Sequence, residues 1–218
     1  RNVRITQVSG RAGQYALVVS PTADGSCPRN VQIEHIEVVG DRDVLAPGTK
    51  AVYGECPLTL RSSRIDHVAS GVRITHHTVV EDNYIRADHW EQGDDSHRSG
   101  IGLNGGAHNL VRGNTITCEG PGCSGALVLY GDFSRVEDVL VEGNLFATTG
   151  SYCVYAGSLG SKPYPVAKDV RFIGNSFSRR YFPTCGRFGP VAGRDHGGGP
   201  GFAWEHNYWL NTDAEVAA

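Results

Sequence analysis

Asparagine returns five times at a nearly constant interval, in Asp82-Asn83-Tyr84-Ile85, Gly113-Asn114-Thr115-Ile116, Gly143-Asn144-Leu145-Phe146, Gly174-Asn175-Ser176-Phe177 and His206-Asn207-Tyr208-Trp209. The steps are 31, 30, 31 and 32 residues. A fixed period of this size means like units stacked in one direction, which decides the architecture before local propensity does. Around the Asn runs a fuller pattern, apolar-x-apolar-x-x-Asn-x-apolar, clearest at 139–146 and 170–177. It reads as a strand, a bend and a second strand. Weaker copies at 58–65, 31–38 and 3–8 put Ser63, Ile36 and Val8 at the Asn position. Between copies another apolar strand recurs near Gly, at 15–19, 51–53, 100–103, 126–130, 153–156 and 190–193.

Three short strands per repeat without long helical connectors cannot build a doubly wound sheet, whose crossovers are usually helices. They can coil into an all-β, single-stranded right-handed parallel β-helix, in which stacking at ~4.8 Å per rung closes the hydrogen-bond ladder and the core together. The expected structure is one domain over residues 1–218, with about seven or eight coils. The 29 Gly and 10 Pro agree, because they punctuate short runs and leave little room for helix. Stacked Asn amides at a tight bend satisfy one another and the backbone, so the series marks architecture.

A formal charge of −3 offers no basic field to nucleic acid or an anionic membrane. No run approaches the roughly 20 apolar residues of a membrane span. With Arg at its start and no Met, the chain reads as a processed product, expected to be monomeric. Six Cys without a CxxC pair point to disulfides and a secreted, extracellular protein. Cys27 and Cys56 are 29 apart, and Cys153 and Cys185 are 32 apart, each about one coil. Residues one coil apart stack within the ~4.4–6.8 Å Cα range of a disulfide. Cys118 and Cys123 would then close a small loop; free buried thiols are the alternative.

The stretches His97-Arg98-Ser99-Gly100-Ile101 with Gly105-Gly106, 126–133, Tyr152-Cys153-Val154-Tyr155, and 181–190 with Trp204 carry a family resemblance. Over roughly 58–212 the chain resembles right-handed β-helix repeat proteins of the pectate-lyase-like superfamily, particularly a secreted actinobacterial group. The resemblance implies the β-helix fold and a polysaccharide or oligosaccharide partner. Its members include polysaccharide lyases, uronate epimerases, polygalacturonases and noncatalytic surface proteins, so activity must be argued from the site. The chain departs from that group at Ser99, where an Asp is common, and at Tyr130, where a Lys is common.

Polar residues crowd around the strand set from Gly100 to Gly193. For a lyase acting on a uronate, Arg98 or a bound cation is expected to neutralise the carboxylate. His97 or Tyr130 would remove the proton beside it, and Tyr155 or Tyr130 would protonate the leaving oxygen. Substrate contacts are expected from His89, Trp90, Asn104, Asp132, Arg194 and Asp195, with the flat Trp90 ring suited to a sugar face. Glu91, Asp94 and Asp95 are hard oxygen ligands for a calcium ion, with a solvated acidic loop as the alternative. Nine His show no zinc-ligand spacing. Two further functions stay open: a noncatalytic carbohydrate-binding or structural β-helix, and a glycoside hydrolase pairing Asp95 with Asp132 or Asp195.

Overall fold

A computed structural model describes residues 3–6, 14–40, 49–90 and 96–218. The chain is a parallel β-solenoid whose strands fall into three sheets of eight, seven and seven members. It makes about six turns at a period near 30 residues, fewer than the seven or eight coils expected from the repeat, with seven or eight strands in each sheet. The first sheet runs from Val3–Thr6 to Tyr208–Trp209, the second from Tyr15–Val19 to Gly189–Arg194, and the third from Gln32–Glu34 to Ala203–Glu205. One short 3-10 turn, Asp195–Gly198, is the helical content of the described residues.

Strict parallel register turns the repeat into columns. In the first sheet Val38, Ile65, Ile85, Ile116, Phe146, Phe177 and Trp209 stand in one register line. In the third, Leu60, Val80, Val111, Val141, Phe172 and Trp204 do the same. Val52, Val72, Ile101, Leu127 and Val154 supply the second. These columns converge on one continuous core, since no single coil can bury its inner face alone. Toward the C-terminus aromatic rings take over, and Phe177 lies 5.4 Å from Trp204. The Trp204 indole then donates to the Val216 carbonyl at 2.7 Å, fastening the final segment over the open end.

The Asn series is a ladder of buried amides. Each Oδ1 accepts from both the backbone N–H and the side-chain amide of the Asn one coil earlier, as when Asn114 Oδ1 receives Asn83 at 3.0 and 2.9 Å. Asn144, Asn175 and Asn207 continue the chain. Ser63 takes the same place, receiving the Ile36 N–H at 3.2 Å. The residue before each Asn is left-handed, at Asp82, Gly113, Gly143, Gly174 and His206. Gly, Asp and His tolerate that conformation better than most residues. Val8 lies outside the described residues; the register sets Val3 beside Ile36, so the ladder position of the first coil falls on Val3.

All three expected disulfides form, Cys27–Cys56, Cys118–Cys123 and Cys153–Cys185, with Cα separations of 5.5, 5.9 and 5.4 Å. Three disulfides imply an oxidising environment. No helix among the described residues is long and apolar enough to cross a membrane.

Candidate active-site cleft

Between Ser63 and Asn83 one coil closes in 20 residues, whereas the following coils take 30 to 32. The extra residues form loops at the ends of the second sheet. Segments 130–135 and 159–167 leave its strands and raise a rim on one side; Ser96 and His97 enter it from the other. The floor is an outward register line of Tyr53, Arg73, Gly102, Val128 and Tyr155. Gly102 leaves a dip there, because a Cβ at this position would face the Ser99 hydroxyl and Val128 across the floor. The resulting cleft of about 410 Å³ touches six adjacent strands, from Tyr15 to Tyr155. At ~4.8 Å per rung it runs roughly 24 Å.

Six predicted residues share this cleft: His97, Arg98, Asn104, Tyr130, Asp132 and Tyr155. His97 is exposed at the mouth of its strand. Tyr130 and Tyr155 meet edge to face with ring centroids 5.1 Å apart. The two phenols influence each other's protonation, with Ser124 beside Tyr130 and Ser151 beside Tyr155. Burial pushes the Tyr130 phenol well above its ordinary value, with the neighbouring Tyr155 adding to the effect and the Ser124 hydrogen bond opposing it. Tyr155 is raised too, again chiefly by burial. Both are therefore protonated at neutral pH and able to donate a proton.

Arg98 occupies a different position from the expected one. Its side chain is 2 % exposed, and the guanidinium donates to the carbonyls of His89 at 2.6 Å, Glu119 at 3.0 Å and Pro121. A buried fork already bonded to three carbonyls is not presented to a substrate carboxylate. Arg98 instead ties the strand after His97 to the 119–122 turn.

The other expected contacts separate from the cleft. His89 is 6 % exposed, so burial removes it from the substrate-contact set. Trp90 is 45 % exposed, but its indole lies against Gly120, which makes it a cover over the turn. Arg194 stands at a strand end, and Asp195 accepts the Gly160 N–H at 2.6 Å, pinning the rim loop from behind. Glu91, Asp94 and Asp95 lie outside the described residues. Asp132 is the one carboxylate on the cleft wall among the described residues, and it pairs with Lys162 at 2.8 Å. Among the described residues no second acid faces it, and Asp95, the partner expected for a glycosidase pair, lies outside them.

Lys162 went unrecognised in the sequence. Its ammonium sits 4.1 Å from the Tyr130 ring centroid. Arg73, Lys50 and Tyr15 were also passed over. Arg73 belongs to the 20-residue coil, out of step with the rhythm that exposed the later strands, and Lys162 sits in an insertion that no period governs. Among the described residues the cleft thus presents Lys50, Arg73 and Lys162 against Asp132, a local reversal of the net −3 charge, while the Arg98 guanidinium is taken up by backbone carbonyls.

Six of the nine His adopt positive φ: His35, His67, His77, His108, His196 and His206. They serve as bend residues, which accounts for most of the His content without ligation. One group among the described residues combines metal-ligating types, Asp66, His67 and Asp88. There His67 Nδ1 is 3.1 Å from Asp88, while Arg64 and Arg86 hold Asp66 and Asp88 in ion pairs of 2.5 and 2.6 Å. Two guanidiniums bonded to these carboxylates make the cluster an ion-pair network bracing the edge between the first and second sheets.

Compared with protein families, curated proteins and solved structures, the chain matches none.

Proposed function

We propose that the protein is a secreted member of the pectate-lyase-like superfamily that binds an acidic, uronate-containing polysaccharide along the second sheet and cleaves it by β-elimination. The supporting observation is the cleft itself, in which Lys162 and Asp132 stand beside the Tyr130–Tyr155 pair while Lys50 and Arg73 add positive charge further along the floor. A groove of one sign focuses its field on a polymer of the opposite sign, even on a protein of net negative charge.

Three tasks follow from the chemistry. Lys162 neutralises the uronate carboxylate, which acidifies the C–H beside it. His97 takes that proton, and the electron pair left behind forms a carbon–carbon double bond as the glycosidic oxygen departs from the β carbon. Tyr130, kept protonated by burial and linked to Tyr155, gives its proton to the departing oxygen. The superfamily position that commonly carries Lys is Tyr130 here, and Lys162 brings an ammonium to its ring from the neighbouring loop. Asn104 and Asp132 line the walls where sugar hydroxyls would lie.

The test is digestion of a polyuronate panel followed by ultraviolet absorbance of the unsaturated product. His97→Ala and Lys162→Ala should each lower turnover at least a hundredfold with unchanged thermal midpoints. Wild-type turnover in His97→Ala would remove it as the base. New reducing ends without the ultraviolet signal would mean hydrolysis. Binding with neither product would support the noncatalytic reading, which the withdrawal of Arg98 from the cleft favours.

A further inference from the structure

The cleft has a second concentration of positive charge away from the tyrosine pair. Arg73 and Lys50 stand on adjacent strands of the second sheet at its N-terminal end, and Tyr15 lies one strand further out. Tyr15 organises both. Its hydroxyl lies within electrostatic reach of the Arg73 guanidinium, the Lys50 ammonium lies 5.2 Å from its ring centroid, and Tyr53 stacks on it at 5.0 Å. Burial raises the Tyr15 phenol, so it stands beside the Arg73 guanidinium as a neutral group. Among the described residues no carboxylate forms an ion pair with Arg73.

We infer that Arg73 and Lys50, held by Tyr15, form a distal anion subsite that grips a uronate carboxylate at a distance from the cleavage position. This rests on the acidic-polysaccharide reading of the cleft. A guanidinium is planar and matches a carboxylate with two parallel hydrogen bonds, whereas the compact ammonium supplies charge without that geometry. Arg73 is therefore the residue that recognises and Lys50 the one that attracts. Two rungs separate the Arg73 strand from the strand that ends before Tyr130, roughly 10 Å along the coil axis. The gap between them is the Gly102 dip, where the floor has no side chain and a sugar ring can lie flat. Grip at a distance predicts a length dependence: a short oligosaccharide at the tyrosine pair does not reach Arg73, and a longer one does.

The experiment is calorimetric titration of the wild type, Arg73→Gln and Lys162→Ala with galacturonate oligomers from disaccharide to hexasaccharide. A carboxyl-reduced hexasaccharide and a sulfated neutral one serve as controls. Arg73→Gln should weaken hexasaccharide binding about tenfold and leave disaccharide binding and the thermal midpoint unchanged, while Lys162→Ala weakens both lengths. The wild type should bind the carboxyl-reduced hexasaccharide more weakly than Arg73→Gln binds the native one, because reduction removes the carboxylate at Lys162 as well as the one at Arg73. Equal hexasaccharide affinity in Arg73→Gln and the wild type would overturn the subsite and leave the cleft reading standing. A preference of Arg73 for the sulfated oligomer would overturn its assignment to carboxylate. A wild type that binds no oligouronate would remove the cleft reading, and the subsite with it.

Discussion

Asn144 shows how much one side chain holds in this fold. Its Oδ1 accepts the Asn114 amide and backbone N–H, and its own amide donates to Val111, Glu142 and Asn175. All but the Glu142 carbonyl are buried, so Asn144→Ala leaves at least one buried N–H and one carbonyl without partners. At about 1–3 kcal/mol for each orphaned group, the variant should lose about 3 kcal/mol or more in urea unfolding. Asn144→Asp is nearly isosteric yet should lose a similar amount, because it cannot donate and sets a negative charge against the Asn175 oxygen. A loss below about 1 kcal/mol in both would mean the ladder is decoration. The left-handed residues before the ladder follow the same economy of shape: a bend forced on every coil selects Gly, Asp or His, and no conserved chemistry is needed to explain them.

Strands and loops divide the labour between them. The strands keep register through six consecutive Asn-ladder positions from Ser63 to Asn207, and everything that lengthens a coil is expelled to the ends of the second sheet. That division explains what was legible in the sequence. Columns of like residues repeat, so the fold, the ladder and the disulfide partners could be read from spacing alone. Ser70–Ile74 escaped because its coil is the bare 20-residue one, and Lys162 escaped because rim loops carry no period. Arg98 was placed correctly by sequence but assigned the wrong direction, since burial among carbonyls leaves no mark on neighbouring residue types. The Gly102 dip gives a direct test of the floor. Its φ is ordinary for a side chain, and a Cβ would stand 3.1 Å from Ser99 Oγ and 3.6 Å from Val128, so the Ser99 side chain has to give by only a few tenths of an ångström to admit it. Gly102→Val should fold with its midpoint little changed and lose at least tenfold in oligosaccharide affinity. Undiminished affinity would move the binding surface off the second sheet.

At the scale of the whole molecule, stacking makes stability a sum over neighbouring coils, and the three disulfides enter that sum unequally. Cys27–Cys56 and Cys153–Cys185 span 29 and 32 residues, whereas Cys118–Cys123 spans only 5. By loop-closure entropy the long bridges are worth about 3.5 kcal/mol each and the short one about 2 kcal/mol. The short bridge has a different position, however. It closes the turn whose Glu119 and Pro121 carbonyls receive Arg98, and Arg98 follows His97 directly in the chain. Opening it loosens the acceptors, lets the guanidinium leave its buried seat, and so displaces the cleft's proposed base. Cys153→Ser/Cys185→Ser should therefore lower the unfolding midpoint more than Cys118→Ser/Cys123→Ser does, while the latter pair costs more turnover or affinity at a temperature where both variants are folded. Wild-type function after removal of the short bridge would uncouple the turn from the cleft. Equal functional losses in both variants would show that the solenoid transmits strain along its whole length, contrary to the nearest-neighbour behaviour of stacked coils.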